Sequence, residues 1–596
     1  MALAVALLVW FVGLFALRGF RFPVGPDAPV YLWWTRLSGV EGLSSVERPG
    51  TMALLGVLRW TGVGLPAAVA GVECALGAGV GLGAAALARA GRGSRVVWVL
   101  AGALAGTFAT HLVAGYVSNL VFAVPFIAVL VVLGSPSRRS TIAAAIVLGA
   151  AALAHPLFFA VGVGVLLVAG ALAFGSARDE TWRAVGASAG GGAILGLGFL
   201  SMLAGPSILR VDTSQDAFLR RAGLGDTLAH AYRDRLIHRW TRYVQWASVP
   251  LALFAASRPE GWVRRVLWAW FAVTAVGVLV GVATTWFPPD RFLTFGFAIP
   301  ILAAFGVVAI IERWRRRRRL AIAVASALTV AMVAGAGIAW LREKPYLGTA
   351  AVGDVVLASR YAATSPPASP WIFPVNSPSS RISFLATRLQ NVIRASVPPD
   401  RIRDVYVVAP APAVGISTDD RREWGALARL YASDAARAAA DRPAPVVIDI
   451  AGFHARLRAR PDVCDPPMCV ALAAPRRTID DGVAVSAGVA SAAPRPADTT
   501  LDSSTTRVVV AGPLVLVVLF VAGFGWSAFV LRDRTHAVAL APAFGTAAIV
   551  LGGVIADRLG MRLSSAAHGL LVLALVTIAG YGALLAERRR RPHPAP

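Results

Sequence analysis

The first residue able to do chemistry is Asp27, held between Pro26 and Pro29 in RFPVGPDAPVYLWW (21–34), after an apolar run and ahead of an aromatic cluster. Further along, ERPGT (47–51) precedes MALLGVLRW (52–60), which reads as an amphipathic stretch at a membrane surface. A polar segment at 207–240 carries Arg210, Arg220 and Arg221 among many cations, and FPPDRF (287–292) sets Asp290 and Arg291 beside another apolar run. A carboxylate, several arginines and aromatic rings at one surface suit a reaction on an anionic lipid. Guanidinium forks bind phosphate bidentately, and rings line apolar or sugar faces.

Other polar residues stand at the ends of apolar runs. His111, Tyr116 and Asn119 in THLVAGYVSNL lie within two helical turns of one another, placed either to hydrogen-bond a sugar or phosphate or to satisfy helix-end backbone groups. His155 precedes Pro156 in AHPLFF, where it reads as a ligand contact, a cap or an interfacial anchor. Asp290 and Arg291 read as an interfacial ion pair or, for the arginine, as a phosphate ligand. Glu73, in AGVECALG, is an acid near the middle of an apolar run, so it is expected to be neutral or hydrogen-bonded to a neighbouring helix.

The elements that must position these groups are membrane helices. Of 596 residues 57% are hydrophobic and 15% charged, with a mean hydropathy of +0.66, too apolar for a soluble chain of this length. Apolar runs of sufficient length predict about fourteen spans. They lie near 2–20, 63–88, 96–113, 119–134, 140–154, 157–175, 184–204, 243–257, 264–285, 291–311, 320–341, 507–531, 537–556 and 565–586. The first run lacks a basic start and a small-residue cleavage site, so it reads as a retained helix. The net charge of +25 does not point to nucleic acid, because the cations sit between apolar runs. GRGSR (91–95), SRR (137–139), RPEGWVRR (258–265), ERWRRRRR (312–319) and ERRRRP (587–592) all fall on the cytoplasmic side if both termini are cytoplasmic. The segments at 21–62, 111–119, 155–156, 205–242, 286–291 and 342–506 then face outward.

Residues 342–506 break the hydrophobic pattern. Strands are predicted at 369–376, 403–410, 445–450 and 469–475, and helices at 380–395 and 419–441, giving a small inserted α/β domain. No glycine-rich phosphate fingerprint follows a strand, which argues against nucleotide binding. Cys464 and Cys469 in CDPPMC read as a local disulfide in an oxidising compartment, with a metal pair as the alternative; Cys74 reads as packing. The expected organisation is a helical core at 1–341, the outer domain at 342–484, a linker at 485–506, three helices at 507–586 and a basic tail at 587–596. The fold class is thus mainly α, a polytopic bundle with one α/β insert.

On Asp27 in the first outer loop, the stretch after it, the many-helix layout, PPDR (288–291) and an outer domain toward the C-terminus, the chain resembles the GT-C glycosyltransferases, membrane enzymes that use polyprenyl-phosphate-linked sugars at the outer face. Its Ala/Val/Gly/Arg-rich composition also resembles that of polytopic membrane proteins of actinobacterial type. The resemblance implies hexosyl or pentosyl transfer to an envelope glycan, lipid or protein, with Asp27 as general base and Arg291, Arg210, Arg220 and Arg221 stabilising the leaving phosphate. Many members carry paired acids in this loop and a divalent metal; here Asp27 stands alone, with Glu41 and Glu47 the nearest acids, so no cofactor is assigned. Two other readings compete. A transporter or flippase would show repeats and several intramembrane polar sites, of which only Glu73 is present. A non-catalytic envelope scaffold would not need so many helices.

Overall fold

Lipid tails are as apolar as leucine, so helices in a bilayer associate through close packing, and small residues permit it. In the computed structural model a Cβ on Gly523 would lie 1.9 Å from the Ala541 carbonyl oxygen, and one on Gly545 would lie 2.0 Å from that of Leu519, so neither place admits a larger residue. The structure describes residues 2–18, 27–113, 115–173, 179–204, 247–255, 258–284, 289–342, 390–408 and 505–590, positions 233, 236 and 237, and short strands at 371–374, 446–450, 476–480 and 483–486. Arg210, Arg220, Arg221, Cys464 and Cys469 lie outside the described residues.

The chain is a multi-pass membrane protein. Among the described residues eight helices are long and apolar enough to cross a bilayer, and Ala2–Leu17, Val117–Val132 and Pro156–Ala171 are shorter apolar helices. In chain order the helices bearing on the site are α1 (Ala2–Arg18), α2 (Ala28–Glu41), α3 (Pro49–Leu58), α4 (Leu65–Ala90), α5 (Arg95–Phe108), α6 (Thr110–Val113), α7 (Val117–Val132), α8 (Arg138–Ala154) and α9 (Pro156–Ala171). After them come α10 (Asp179–Ala193), a π-helical turn, α11 (Phe199–Ala204), α12 (Ser248–Phe254) and α13 (Gly261–Thr284). The rest are α14 (Asp290–Thr294), α15 (Ala298–Arg313), α16 (Arg318–Leu341), α17 (Thr505–Val530), α18 (Arg534–Arg558) and α19 (Ala566–Arg590).

Ion pairs join the basic clusters at one end of the bundle. Arg92 meets Glu260 at 2.9 Å, Arg258 meets Glu312 at 2.6 Å, and Arg139 meets Glu587 at 2.8 Å. Arg89 pairs with Asp533 at the same end. At the opposite end Leu43 N–H donates to Asp557 Oδ2 at 3.0 Å, and Arg59 Nη2 donates to the Leu563 carbonyl at 2.9 Å.

Several expected spans are interrupted at that second end. The run 96–113 breaks at Ala109, and the chain turns at Gly115, whose φ of 106° is natural only to glycine, before α7 starts. The run 291–311 divides into α14 and α15. The stretch 52–60 corrects a sequence expectation: α3 is buried along its whole length, where an amphipathic surface helix would expose one face. Small residues explain this, since Gly50 packs on Leu153 and Ala154, Gly56 on Leu563, and Gly553 on Ala53.

In the insert, β1 (Trp371–Pro374), β2 (Val405–Val408), β3 (Val446–Ile450), β4 (Arg476–Asp480) and β5 (Val483–Ser486) form one mixed sheet in the order β2-β1-β3-β5-β4. β1 is parallel to β2 and β3, while β5 pairs antiparallel with β3 and β4. Three of these strands fall in the runs at 369–376, 403–410 and 445–450; the run at 469–475 lies outside the described residues, and periodicity does not single out the β4–β5 hairpin. Residues 390–404 dock on α2: Trp33 Nε1 donates to Asn391 Oδ1 at 3.2 Å, Arg36 donates to the Ala395 carbonyl, and Arg403 forks onto Glu41.

Candidate functional site

Asp27 is the N-cap residue of α2; its carbonyl accepts the Tyr31 N–H, and its side chain makes no capping bond. Pro29 in the first turn fits a helix start, where its missing donor costs nothing. Tyr31, one turn on, is fully buried. Its hydroxyl oxygen accepts from Arg48 Nη1 at 3.1 Å and from the Ser118 backbone N–H at 3.3 Å. Burial raises the Tyr31 phenol above its ordinary value, Arg48 pulls it down and the Asp27 charge pushes it up, so phenol, guanidinium and carboxylate share one neighbourhood. Arg48 also lies 5.8 Å from the Trp34 ring. Thr51 Oγ1, 3.0 Å from Ser118 Oγ and 3.4 Å from the Ala154 carbonyl, ties α3 to α7 and α8.

His155 lies at the α8–α9 turn, where Pro156 restricts it to an extended backbone. Its Nδ1 accepts the Phe158 N–H at 3.3 Å, capping α9. An Nδ1 that accepts leaves the proton of a neutral imidazole on Nε2, and this Nε2 is buried with no partner. Burial holds the imidazole well below its ordinary pKa, and the guanidiniums of Arg48 and Arg291 push it further the same way. Arg48 from the first loop and Arg291 from α14, 243 positions later in sequence (291 − 48), therefore both act electrostatically on one histidine. Two cations and a buried N–H donor are a donor set suited to an anion, and Asp27 shares the neighbourhood of Tyr31 and Arg48.

The other sequence candidates sit around this pocket in different roles. Asn119 is 1% exposed, and neither atom of its side-chain amide has a partner. An unsatisfied buried polar group costs about 1–3 kcal/mol. His111 instead has both ring nitrogens against backbone carbonyls, Nδ1 against Phe108 and Nε2 against Thr294 at 3.1 Å, which ties α6 to α14. Tyr116 is the N-cap residue of α7, and its carbonyl accepts the Asn119 N–H at 3.0 Å. Asp290 opens α14 and is 3% exposed, while Arg291 is half-buried. Glu73 is fully buried in α4 close to the Gly115 N–H, with neither carboxyl oxygen at hydrogen-bonding distance from a partner. Sequence reading missed Tyr31 and the role of Arg48. The available signals were the one-turn spacing of Asp27 and Tyr31 and an arginine directly before the helix-starting Pro49.

Carboxylate ligands for a divalent cation do not converge here. Glu41 lies at the far end of α2, about 21 Å along the helix from Asp27, and is engaged by Arg403; Glu47 is exposed. Among the described residues no three His, Cys, Asp or Glu side chains gather. Among the described residues the groups that share a neighbourhood with Asp27 include the Arg48 guanidinium and the Tyr31 phenol, both donors suited to an anion.

No family model matches the chain, and no curated protein matches it. It is similar to the crystal structure of the Archaeoglobus fulgidus oligosaccharyltransferase in complex with Zn and sulfate, with a TM-score of 0.47, 12% identity, and 77% of this chain and 70% of that one covered. It is also similar to ArnT from Cupriavidus metallidurans bound to undecaprenyl phosphate, with a TM-score of 0.39, 16% identity, and 83% of this chain and 99% of that one covered. The apo state of ArnT gives a TM-score of 0.39 at 17% identity over 83% and 98%.

Proposed function

We propose that the chain transfers a sugar from a polyprenyl-phosphate donor to an acceptor hydroxyl at the outer face of the membrane. The observation that carries the reading is His155, whose Nε2 is buried without a hydrogen-bond partner and whose imidazole feels the charges of both Arg48 and Arg291. In this reading Asp27 takes the proton from the acceptor hydroxyl as that oxygen attacks the anomeric carbon. The bond from that carbon to the phosphate oxygen breaks, and the leaving polyprenyl phosphate is received by Arg48, Arg291 and His155. Its chain stays in the bilayer against the apolar helices. Asp27 starts α2, and residues 390–404 hold that helix through Trp33, Arg36 and Glu41. The positive-inside rule puts the five basic clusters in the cytoplasm and the pocket outside.

A photoreactive undecaprenyl phosphate carrying a diazirine beside the phosphate tests the assignment on the full chain in nanodiscs. Adducts are expected in 27–51, 155–159 and 289–294. Adducts confined to other segments would remove the site.

A further inference from the structure

Resting on that reading, we infer that Asn119 is the sugar-specificity residue: its amide receives a hydroxyl of the donor sugar above a floor of phenyl rings, apart from the arginines that take the phosphate. Asn119 and Phe122 lie three residues apart on α7 and so share a face, with Asn119 nearer the Asp27 end. Phe122 lies 6.1 Å from Phe158 and 5.3 Å from Phe295, and Phe158 and Phe295 lie 5.1 Å apart. The His155 ring stacks on Phe158 at 4.2 Å and an interplanar angle of 12°. Two buried polar groups are thus associated with one aromatic cluster, the Asn119 amide one helical turn from Phe122 and the His155 ring stacked on Phe158, and neither the amide nor His155 Nε2 has a partner.

The chemistry of the amide selects the ligand class. Its nitrogen donates and its oxygen accepts, so satisfying both atoms takes a group that also does both. The phosphodiester of a sugar-bearing carrier, or a fully ionised phosphate monoester, offers only acceptors, which pair with the nitrogen and leave the oxygen unpaired. A sugar hydroxyl, or two neighbouring ones, pairs with both, while the C–H face of the sugar ring rests on phenyl carbons. The adjacent Ser118 is no competitor: its N–H is engaged by Tyr31 and its hydroxyl by Thr51.

The test compares binding of undecaprenyl phosphate alone with the same carrier bearing a hexose or a pentose, using full-length wild type, Asn119→Ala and Asn119→Leu in nanodiscs. Wild type is expected to bind at least one sugar-bearing carrier tighter than the bare phosphate, by tenfold or more. Both variants are expected to lose that increment and keep the affinity for the bare carrier. Asn119→Leu, which removes both unpartnered atoms, is expected to keep or raise the melting temperature, whereas a structural asparagine would lower it. A sugar increment that survives in both variants, or a wild type with none, overturns the role of Asn119 and leaves the phosphate pocket standing. Absence of binding to any polyprenyl phosphate overturns the transfer reading itself.

Discussion

At the scale of single residues the pocket separates charge from chemistry. Asp27 is held by backbone bonds of its own helix, with its side chain unused as a cap, while the charges of Arg48 and Arg291 converge on His155. Asp27→Asn keeps the shape and removes the base. Sugar transfer in a membrane assay should fall about 10²- to 10⁴-fold, with donor binding unchanged; a variant that turns over like wild type would dismiss the general-base role. His155 supplies a second prediction. Burial and two arginines depress its folded pKa below the unfolded value of about 6.5, so as the pH falls the unfolded chain takes up this proton first. Its contribution to stability is complete above about pH 6.5 and is lost as the pH drops toward the folded value. His155→Asn retains a capping oxygen for Phe158 N–H and should flatten the decline in melting temperature between about pH 7 and pH 5. An unchanged slope would show that another group carries it. Asp27, Asn119, His155 and Arg291 were legible as polar residues at ends of apolar runs. Tyr31 and Arg48 were not, because their importance lies in contacts between segments with no fixed spacing.

At the scale of elements, small residues decide where the site's helices sit. α3 is short and apolar, and hydropathy alone cannot distinguish a helix lying on a membrane from one enclosed by others. Its glycines were the available signal. A Cβ on Gly50 would lie 2.8 Å from the Ala154 nitrogen and 2.8 Å from the Leu153 carbonyl carbon, both backbone atoms with no rotamer to yield. Gly50→Ala should therefore push α3 from α8 at a cost of about 1–3 kcal/mol, displacing His155 directly after Ala154. The expected result is a lower melting temperature and a larger loss of polyprenyl phosphate affinity than for Gly164→Ala in α9, where the backbone is helical and a Cβ meets nothing within 4 Å. Equal losses would detach α3 packing from the pocket. The long spans were readable because about 20 apolar residues have few other uses. The breaks at 109–116 and 294–297 were not, since the polar groups that end those helices are bonded across the bundle, as His111 is to Thr294.

At the scale of the whole molecule, one end of the bundle gathers the arginine clusters and the other gathers the pocket. Arg92 with Glu260, Arg258 with Glu312 and Arg139 with Glu587 tie together loops far apart in sequence, and Tyr31, Thr51, Ser118 and His155 meet near the opposite helix ends. The proposed transfer from a lipid carrier at the outer face requires that second end to face outward, the orientation expected of the chain from the positive-inside rule. Single cysteines placed in a chain whose own cysteines are replaced can read this out in whole cells. Ser44 and Leu559 are exposed at the pocket end, and Ser135 and Glu260 at the basic end. Ser44→Cys and Leu559→Cys should react with a membrane-impermeant maleimide on intact cells, while Ser135→Cys and Glu260→Cys should react only after permeabilisation. Labelling in the reverse order would put the pocket in the cytoplasm and withdraw the outer-face reaction. Labelling of all four positions from one side would contradict the bundle's division into two ends.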